Sequence, residues 1–417
     1  MKRMICALSM PLLFLTACAS QSQQAQSQQG QPQQPSVNQL VSPAGMNSSL
    51  SRLFTNSDGK VYLSWVEENA ETQISRLRYA TFEDGHWREP ATIASGDNWF
   101  VNWADFPSLI ADGDRLAAHW LQKRADGKYD YDVKVAFSGD HGQQWGEAMT
   151  PHKDGVSAEH GFVSMLPLSG QQTFVTWLDG RYTKSGHGEG SHSHGHGGGA
   201  MTLRAGIFDS QSNTVDEWEL DHRVCDCCQT SAAMTSKGPI VAYRDRSETE
   251  IRDISVVRYV DQQWTQPTAV YADHWQIEGC PVNGPAITAA NEQVAVAWFT
   301  MSGDVAQVKL AVSNDAGATF AAPVMISKGN TMGRIAITTL DSGDIAVAWM
   351  DQQGATAQIK VAKYSPQGVL LNKVVATETP AARSTGFPSL TAAGDNLYLS
   401  WTQVGESKQV KTAQVSL

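Results

Sequence analysis

Val61-Tyr62-Leu63-Ser64-Trp65 is a short alternating stretch that ends in an aromatic, and the chain returns to it again and again. Copies follow as Leu116-Ala117-Ala118-His119-Trp120, Thr173-Phe174-Val175-Thr176-Trp177 and Ile240-Val241-Ala242-Tyr243. Three more are Val294-Ala295-Val296-Ala297-Trp298, Ile345-Ala346-Val347-Ala348-Trp349 and Leu397-Tyr398-Leu399-Ser400-Trp401. A period-2 pattern of this length reads as a short β-strand. Another short strand and a turn precede the copies, as in Pro107-Ser108-Leu109-Ile110 and Pro388-Ser389-Leu390-Thr391. A third strand and a fourth follow each of the first six, residues 133–137 being one third strand. Four strands recurring at about fifty to sixty residues predict an all-β fold, a β-propeller of four-stranded blades. The last repeat stops after its third strand. Residues 37–41 can supply the missing outer strand and close the ring, which favours seven blades over six.

Composition agrees. The chain has 417 residues, 35 Gly and 13 Trp, as suits many turns between short strands. Its formal net charge is -11 with no basic run, so nucleic acid is not an expected partner. Lys2 and Arg3 precede an apolar run from Ile5 to Leu15 that is too short to span a bilayer. The run ends in Leu15-Thr16-Ala17-Cys18, which resembles the lipobox of bacterial lipoproteins. That resemblance implies a signal peptide over 1–17 and a lipidated Cys18. A flexible Gln/Ser-rich tether is then expected over 18–40 and the propeller over 41–417. Ala19 after the Cys implies an outer-membrane lipoprotein, held to the membrane by lipid and facing the periplasm or the surface.

Two turns between third and fourth strands refine the fold. Ser138-Gly139-Asp140-His141-Gly142-Gln143-Gln144-Trp145 and Ser313-Asn314-Asp315-Ala316-Gly317-Ala318-Thr319-Phe320 resemble the Asp-box (BNR) motif of the sialidase-like propellers. Phe82-Glu83-Asp84-Gly85-His86-Trp87 looks like a worn copy. Ser and Asp oxygens in such a hairpin hold the turn backbone, Gly takes the permissive dihedral, and the aromatic packs between strands. The motif bears on fold and says little of function.

Propeller topology then places the unusual residues. With strands named A to D from the axis outward, the D–A and B–C loops open on one face. Cys225-Asp226-Cys227-Cys228 lies just before strand A of the fourth repeat, and Gly279-Cys280-Pro281 just before that of the fifth. Both are D–A connections, so thiols far apart in sequence are expected together near the axis. Between strands B and C of the third repeat lies a Gly-rich insertion with His187, His192, His194 and His196. Thiolate, imidazole and thioether groups on one face favour a transition metal, copper first and zinc second. The ligand set so read is Cys225, Cys227, Cys228 and Cys280, with His160 and the loop histidines secondary. The corresponding function is handling or delivery of metal in the envelope, with a metal-donor or metal-acceptor protein as partner. The same four Cys could instead form disulfides in an oxidising compartment.

Other residues in D–A and B–C positions are Met46, Asp105, Met332, Arg383, Asp179, Arg181, Asp245, Met301 and Met350. The sialidase resemblance implies a rival reading, an exo-acting glycoside hydrolase with an arginine clamp for a carboxylate and a Tyr-Glu pair. Arg52, Arg244, Arg246, Arg334 and Arg383 are candidates for the clamp, with Tyr243 and Glu248 for the pair. However, Ser51-Arg52-Leu53-Phe54 lacks the Pro of the family's Arg-Ile-Pro. A disulfide-stabilised or thiol-redox propeller that docks a protein partner is the third possibility; Cys225 and Cys228 have the C-x-x-C spacing.

Overall fold

The alternation that marks the inner strands decides which blade each side chain meets. In the strand Ile345–Gln353, Ile345, Val347 and Trp349 pack against the blade before, whereas Ala346, Ala348 and Met350 pack against the blade after. In Gln293–Thr300, Val294, Val296 and Trp298 point one way and Ala295, Ala297 and Phe299 the other. Large side chains of one blade thus meet small ones of the next. The described residues hold seven buried apolar clusters, each spanning the boundary between two neighbouring blades. No single blade has a core of its own.

The computed structural model describes Met1, residues 34–184 and residues 199–417. Residues 34–417 form one unit, a seven-bladed propeller of antiparallel sheets. Blade 1 runs from Ser48–Thr55 through Val61–Asn69 and Ile74–Glu83 to Ala91–Gly96, and blade 3 from His160–Leu168 to Thr214–Val224. Blade 4 starts at Ser231–Thr235, blade 5 at Ala286–Ala290 and blade 6 at Thr331–Thr339. Blade 7 takes its outer strand from the beginning of the chain: Ser36–Leu40 pairs antiparallel with Lys408–Ser416, Ser36 opposite Ser416 and Leu40 opposite Thr412. The ring is closed in the manner expected, and the propeller's strands begin five residues before 41. Side chains reinforce the closure. Trp87 Nε1 donates to Thr412 Oγ1 at 3.1 Å, and Leu53 N–H donates to Ser389 Oγ at 2.9 Å.

One expected strand is missing. Blade 2 has Ser108–Asp112, Arg115–Lys123 and Tyr131–Ser138, but its outer edge is reduced to the pair Val135 and Met149. Pro151 follows at once, and the chain turns inward so that His152 and Asp154 enter the blade 2–blade 3 boundary. The two hairpin turns repeat one geometry. Ser138 Oγ donates to Asp140 Oδ1 and receives the Gly142 N–H; Ser313 does the same for Asp315 and Gly317. Asp140 and Asp315 each receive a further N–H at 2.9 Å, from Gln144 and Thr319.

Candidate functional site

The D–A and B–C connections of blades 2 to 5 and the Arg383 turn surround a cavity of about 780 Å³. Asp105, Tyr131 and Glu159 form one side of it, and Asp226, Cys227 and Cys280 another. Between them stand Arg223, Arg246, Arg252 and Arg383, with Phe100, Trp103 and Tyr129 as aromatic wall.

The carboxyl side is built around one hydroxyl. Tyr131 Oη lies 2.9 Å from Asp105 Oδ2 and 2.9 Å from Glu159 Oε1. A phenol has one proton, so it donates to one carboxyl only, and the other carboxyl must donate to the phenol oxygen. The trio therefore holds an extra proton. Burial agrees: it pushes Asp105 up to about 7, against the pull of the Phe162 N–H and Tyr131. Burial also pushes Glu159 up to about 8, with Asp105, Asp226 and Cys280 adding to it and Tyr131 opposing. All three line the cavity, Asp105 and Tyr131 as buried side chains and Glu159 as a half-buried one. Gly161 makes the arrangement possible, because any side chain there would overlap the Asp105 carboxylate.

The thiol side joins two blades. Cys225 and Cys228 are disulfide-bonded to each other and buried. Cys227 is half-buried and Cys280 exposed; both are thiols, and they hydrogen-bond to one another. Cys227 Sγ lies 3.9 Å from Cys225 Sγ, and Arg252 Nη1 donates to Cys225 Sγ at 3.6 Å. The loops come this close because Gly284 has no side chain to collide with the Gln229 carbonyl. The hydrogen bond from Cys227 lowers Cys280 against its burial, helped by Arg252 and Arg246, and the same bond raises Cys227. Sulfurs of Cys225, Cys227 and Cys228 lie within 4.8 Å of one another, close enough for a metal if the disulfide is reduced.

The arginines divide into two kinds. Arg246 binds Glu250 at 2.8 Å and Asp226 at 3.1 Å, and Arg252 binds Glu250 at 2.7 Å. Burial works against ionisation of Glu250, but these two partners outweigh it and hold its carboxyl at about 2. Arg223 and Arg383 have no carboxylate partner among the described residues.

Of the sequence-based catalytic candidates, Arg246 and Arg383 line the cavity and the others do not. Arg244 is fully buried and gives its guanidinium to three carbonyls, of Asn283, Arg252 and Phe299. Tyr243 is buried and donates to Asp221 at 2.5 Å. Arg52 lies over the Phe106 ring, 4.5 Å from its centroid, and burial lowers it to about 10. Arg334 is bound to the carbonyls of Ala382 and Gly386, and Glu248 is exposed on the B–C loop of blade 4. These are structural positions. His160 belongs to a different group from the cysteines. It stacks on His152 at 3.7 Å, with Asp154 3.2 Å from a nitrogen of each ring and Asp132 and Asp179 alongside. Cys18 and the histidines His187, His192, His194 and His196 lie outside the described residues.

Sequence reasoning missed Tyr131, Glu159, Arg223 and Arg252. Glu159 stands in a D–A position beside His160, so the rule that selected His160 also reaches it; looking for metal ligands passed it over.

By sequence, neither family models nor curated proteins match this chain. Among solved structures it is similar to a mutant NanB sialidase from Streptococcus pneumoniae, at 9% identity and TM-score 0.47 over 92% of each chain. It is also similar to the Penicillium chrysogenum α-L-arabinanase complexed with arabinobiose, at 13% identity and TM-score 0.46, covering 92% of this chain and 97% of that one. A third is an α-L-arabinofuranosidase of Fusarium graminearum, at 12% identity and TM-score 0.47, covering 92% and 98%. At such identities the likeness is one of fold. The class is a seven-bladed propeller with a sialidase among its structural neighbours.

Proposed function

We propose that the cavity cleaves a glycosidic bond in a carboxylate-bearing saccharide, with Glu159 as general acid. The observation that carries this is the single hydroxyl of Tyr131 shared by two carboxyls, which keeps a proton at the cavity wall at neutral pH. Glu159 would give that proton to the glycosidic oxygen as the bond breaks, while a water from solvent adds to the anomeric carbon and loses a proton that restores the acid, a contribution of about 10²- to 10⁴-fold from the acid. Tyr131 and Asp105 position Glu159 and hold its proton. Arg223 and Arg383, which have no carboxylate partner among the described residues, suit a carboxylate on the sugar. Trp103 and Tyr129 add apolar ring surface to the wall beside which the sugar would lie. The test is turnover of aryl sialosides and aryl uronides by wild type and Glu159→Gln. The expected result is measurable cleavage, at least about 100-fold lower in the variant and falling as pH rises through about 8. Equal turnover by a correctly folded variant, or none by wild type on either class, rejects the assignment.

A second reading applies to the fully reduced chain. There Cys225, Cys227, Cys228 and Cys280 would hold a soft cation, copper before zinc, and pass it to a partner in the envelope. The closeness of three of the sulfurs supports it. Elemental analysis of protein purified under reducing conditions without chelator checks it, a Cys227→Ser/Cys228→Ser variant being the control. Lipidation of Cys18 and an outer-membrane location belong to the same proposal. The mass of the N-terminal peptide from membrane fractions tests them.

A further inference from the structure

The residues after Met149 and Pro151, which blade 2 does not use as an outer strand, carry His152 and Asp154 into the blade 2–blade 3 boundary. There they meet Asp132 and His160. A parallel bridge joins Tyr131 to Glu159, and these two turn to the cavity; the next residue of each segment, Asp132 and His160, belongs to the boundary group instead. The His152 and His160 rings stack at 3.7 Å with 4° between their planes, and neither side chain has exposed surface.

Every ring nitrogen of this pair faces an oxygen. His152 Nδ1 and His160 Nε2 each lie 3.2 Å from Asp154 Oδ2. His160 Nδ1 lies 3.2 Å from the Ala158 carbonyl oxygen and 4.0 Å from Asp132 Oδ1. His152 Nε2 lies 3.7 Å from Asp132 Oδ1 and has no hydrogen-bond partner among the described residues. Four nitrogens set against oxygens require four protons, whereas two neutral imidazoles carry two. Four protons would stack two imidazolium rings face to face away from water, a costly pair. Fewer protons leave a buried lone pair aimed at an oxygen. A cation on the Asp132 side removes the conflict. Both rings then donate their N–H to Asp154, and His152 Nε2 and His160 Nδ1 offer lone pairs beside Asp132 Oδ1.

We propose that His152, His160 and Asp132 bind a divalent transition-metal ion of the zinc type, which fastens residues 149–160 between blades 2 and 3. One ligand atom from each of the three lies within 4.8 Å of the others, and turning the rings out of parallel about Cβ–Cγ aims both lone pairs at one ion. Two imidazoles and a carboxylate are zinc ligands, whereas calcium and magnesium take oxygens. The Ala158 carbonyl stands at hand as a fourth ligand. Asp154, shared by the two outer N–H groups, fixes the tautomers as a carboxylate behind a zinc-bound histidine does. Asp179 is 3.6 Å from His160 Nε2 but is taken by Arg181 at 2.7 Å. Arg124 donates to Asp132 Oδ1 at 3.2 Å, and the second carboxylate oxygen can keep that bond when the first takes an ion. The site needs neither a glycoside nor a cysteine, so it stands or falls apart from both readings above.

Full-length protein is stripped of metal with chelator, dialysed, titrated with zinc chloride and desalted, and retained zinc is measured by elemental analysis. Wild type should keep one ion more than His152→Gln or Asp132→Asn; the cysteines and the remaining histidines are common to all three proteins and cancel. Asp154→Asn should bind that ion about 10- to 100-fold more weakly. In wild type, added zinc should slow hydrogen exchange over residues 149–160, a readout for which no variant has to fold. Equal zinc in wild type and both variants, or exchange over 149–160 unmoved by zinc, overturns the proposal and leaves the stacked histidines as a packing feature alone.

Discussion

Replacing Glu159 by Gln removes one of the two carboxyls that share the Tyr131 hydroxyl, and it should change how stability depends on pH. In the folded chain Glu159 is raised from 4.5 to about 8 and Asp105 from 3.8 to about 7, burial being the main cause for both. A raised carboxyl contributes fully below its unfolded value, and that contribution is lost as pH rises through the folded value. For Glu159 the window is pH 4.5 to about 8. At about 1.4 kcal/mol per unit, the loss is on the order of 4 kcal/mol, and less if the pair passes one proton between its members. Glutamine stays neutral throughout, and its amide carbonyl can still accept from Tyr131. The variant should therefore gain on wild type by roughly 2–4 kcal/mol between pH 4.5 and 8.5. Urea unfolding followed by tryptophan fluorescence at several pH values measures the difference. His152 and the other titrating groups outside the Asp105–Tyr131–Glu159 group cancel because both proteins carry them. A stability difference that stays constant within about 1 kcal/mol over that range would refute the shared-proton assignment.

Four other outcomes follow from the same structure. Removing residues 34–40 uncovers the Lys408–Ser416 edge and withdraws Val37 from the blade 6–blade 7 core; a loss of about 3 kcal/mol and faster hydrogen exchange in residues 408–416 are expected. Arg244→Met strands three buried carbonyls and should cost about 3–5 kcal/mol, whereas Glu248→Gln on the exposed loop should stay within about 0.5 kcal/mol; both are read by denaturation. Asp315→Ala should cost about 1 kcal/mol at neutral pH. Burial opposes ionisation of Asp315, but hydrogen bonds from Ser313 and Thr319 hold it at about 2, so this cost should fade in denaturation runs as pH falls from 3.8 through about 2. Arg223→Ala should raise KM for an anionic saccharide by about tenfold, with kcat little changed, because the guanidinium binds in ground and transition state alike.

How much of this was legible beforehand follows from where the physical information lies. The inner strands were readable because alternation is local: in Ile345-Ala346-Val347-Ala348-Trp349 each side chain's face follows from its position modulo two. The closing strand was readable from a shortage, the seventh repeat lacking one strand and residues 37–41 offering it. Placement of Cys227 beside Cys280 followed from blade topology. The outer edge of blade 2 was misread because nothing local distinguishes a strand from a segment that turns inward at Pro151. Tyr243, Arg244 and Arg52 looked like site residues because position within a repeat does not say whether a side chain faces the cavity or a neighbouring blade. The Asp105–Tyr131–Glu159 group escaped notice for another reason. Its members come from two blades, and no one of them is unusual until the shared hydroxyl makes it so.

The sequence alone therefore determined the number and order of the blades, the way the ring closes and the face on which the cysteines lie. Those properties depend on periodicity and on counting. Tertiary structure decided which cysteines are bonded to each other and which remain as thiols. It also decided which arginines are neutralised and which carboxyls keep a proton. Each of these is set by distances between loops of different blades and by burial from water, quantities that do not exist until the ring has closed.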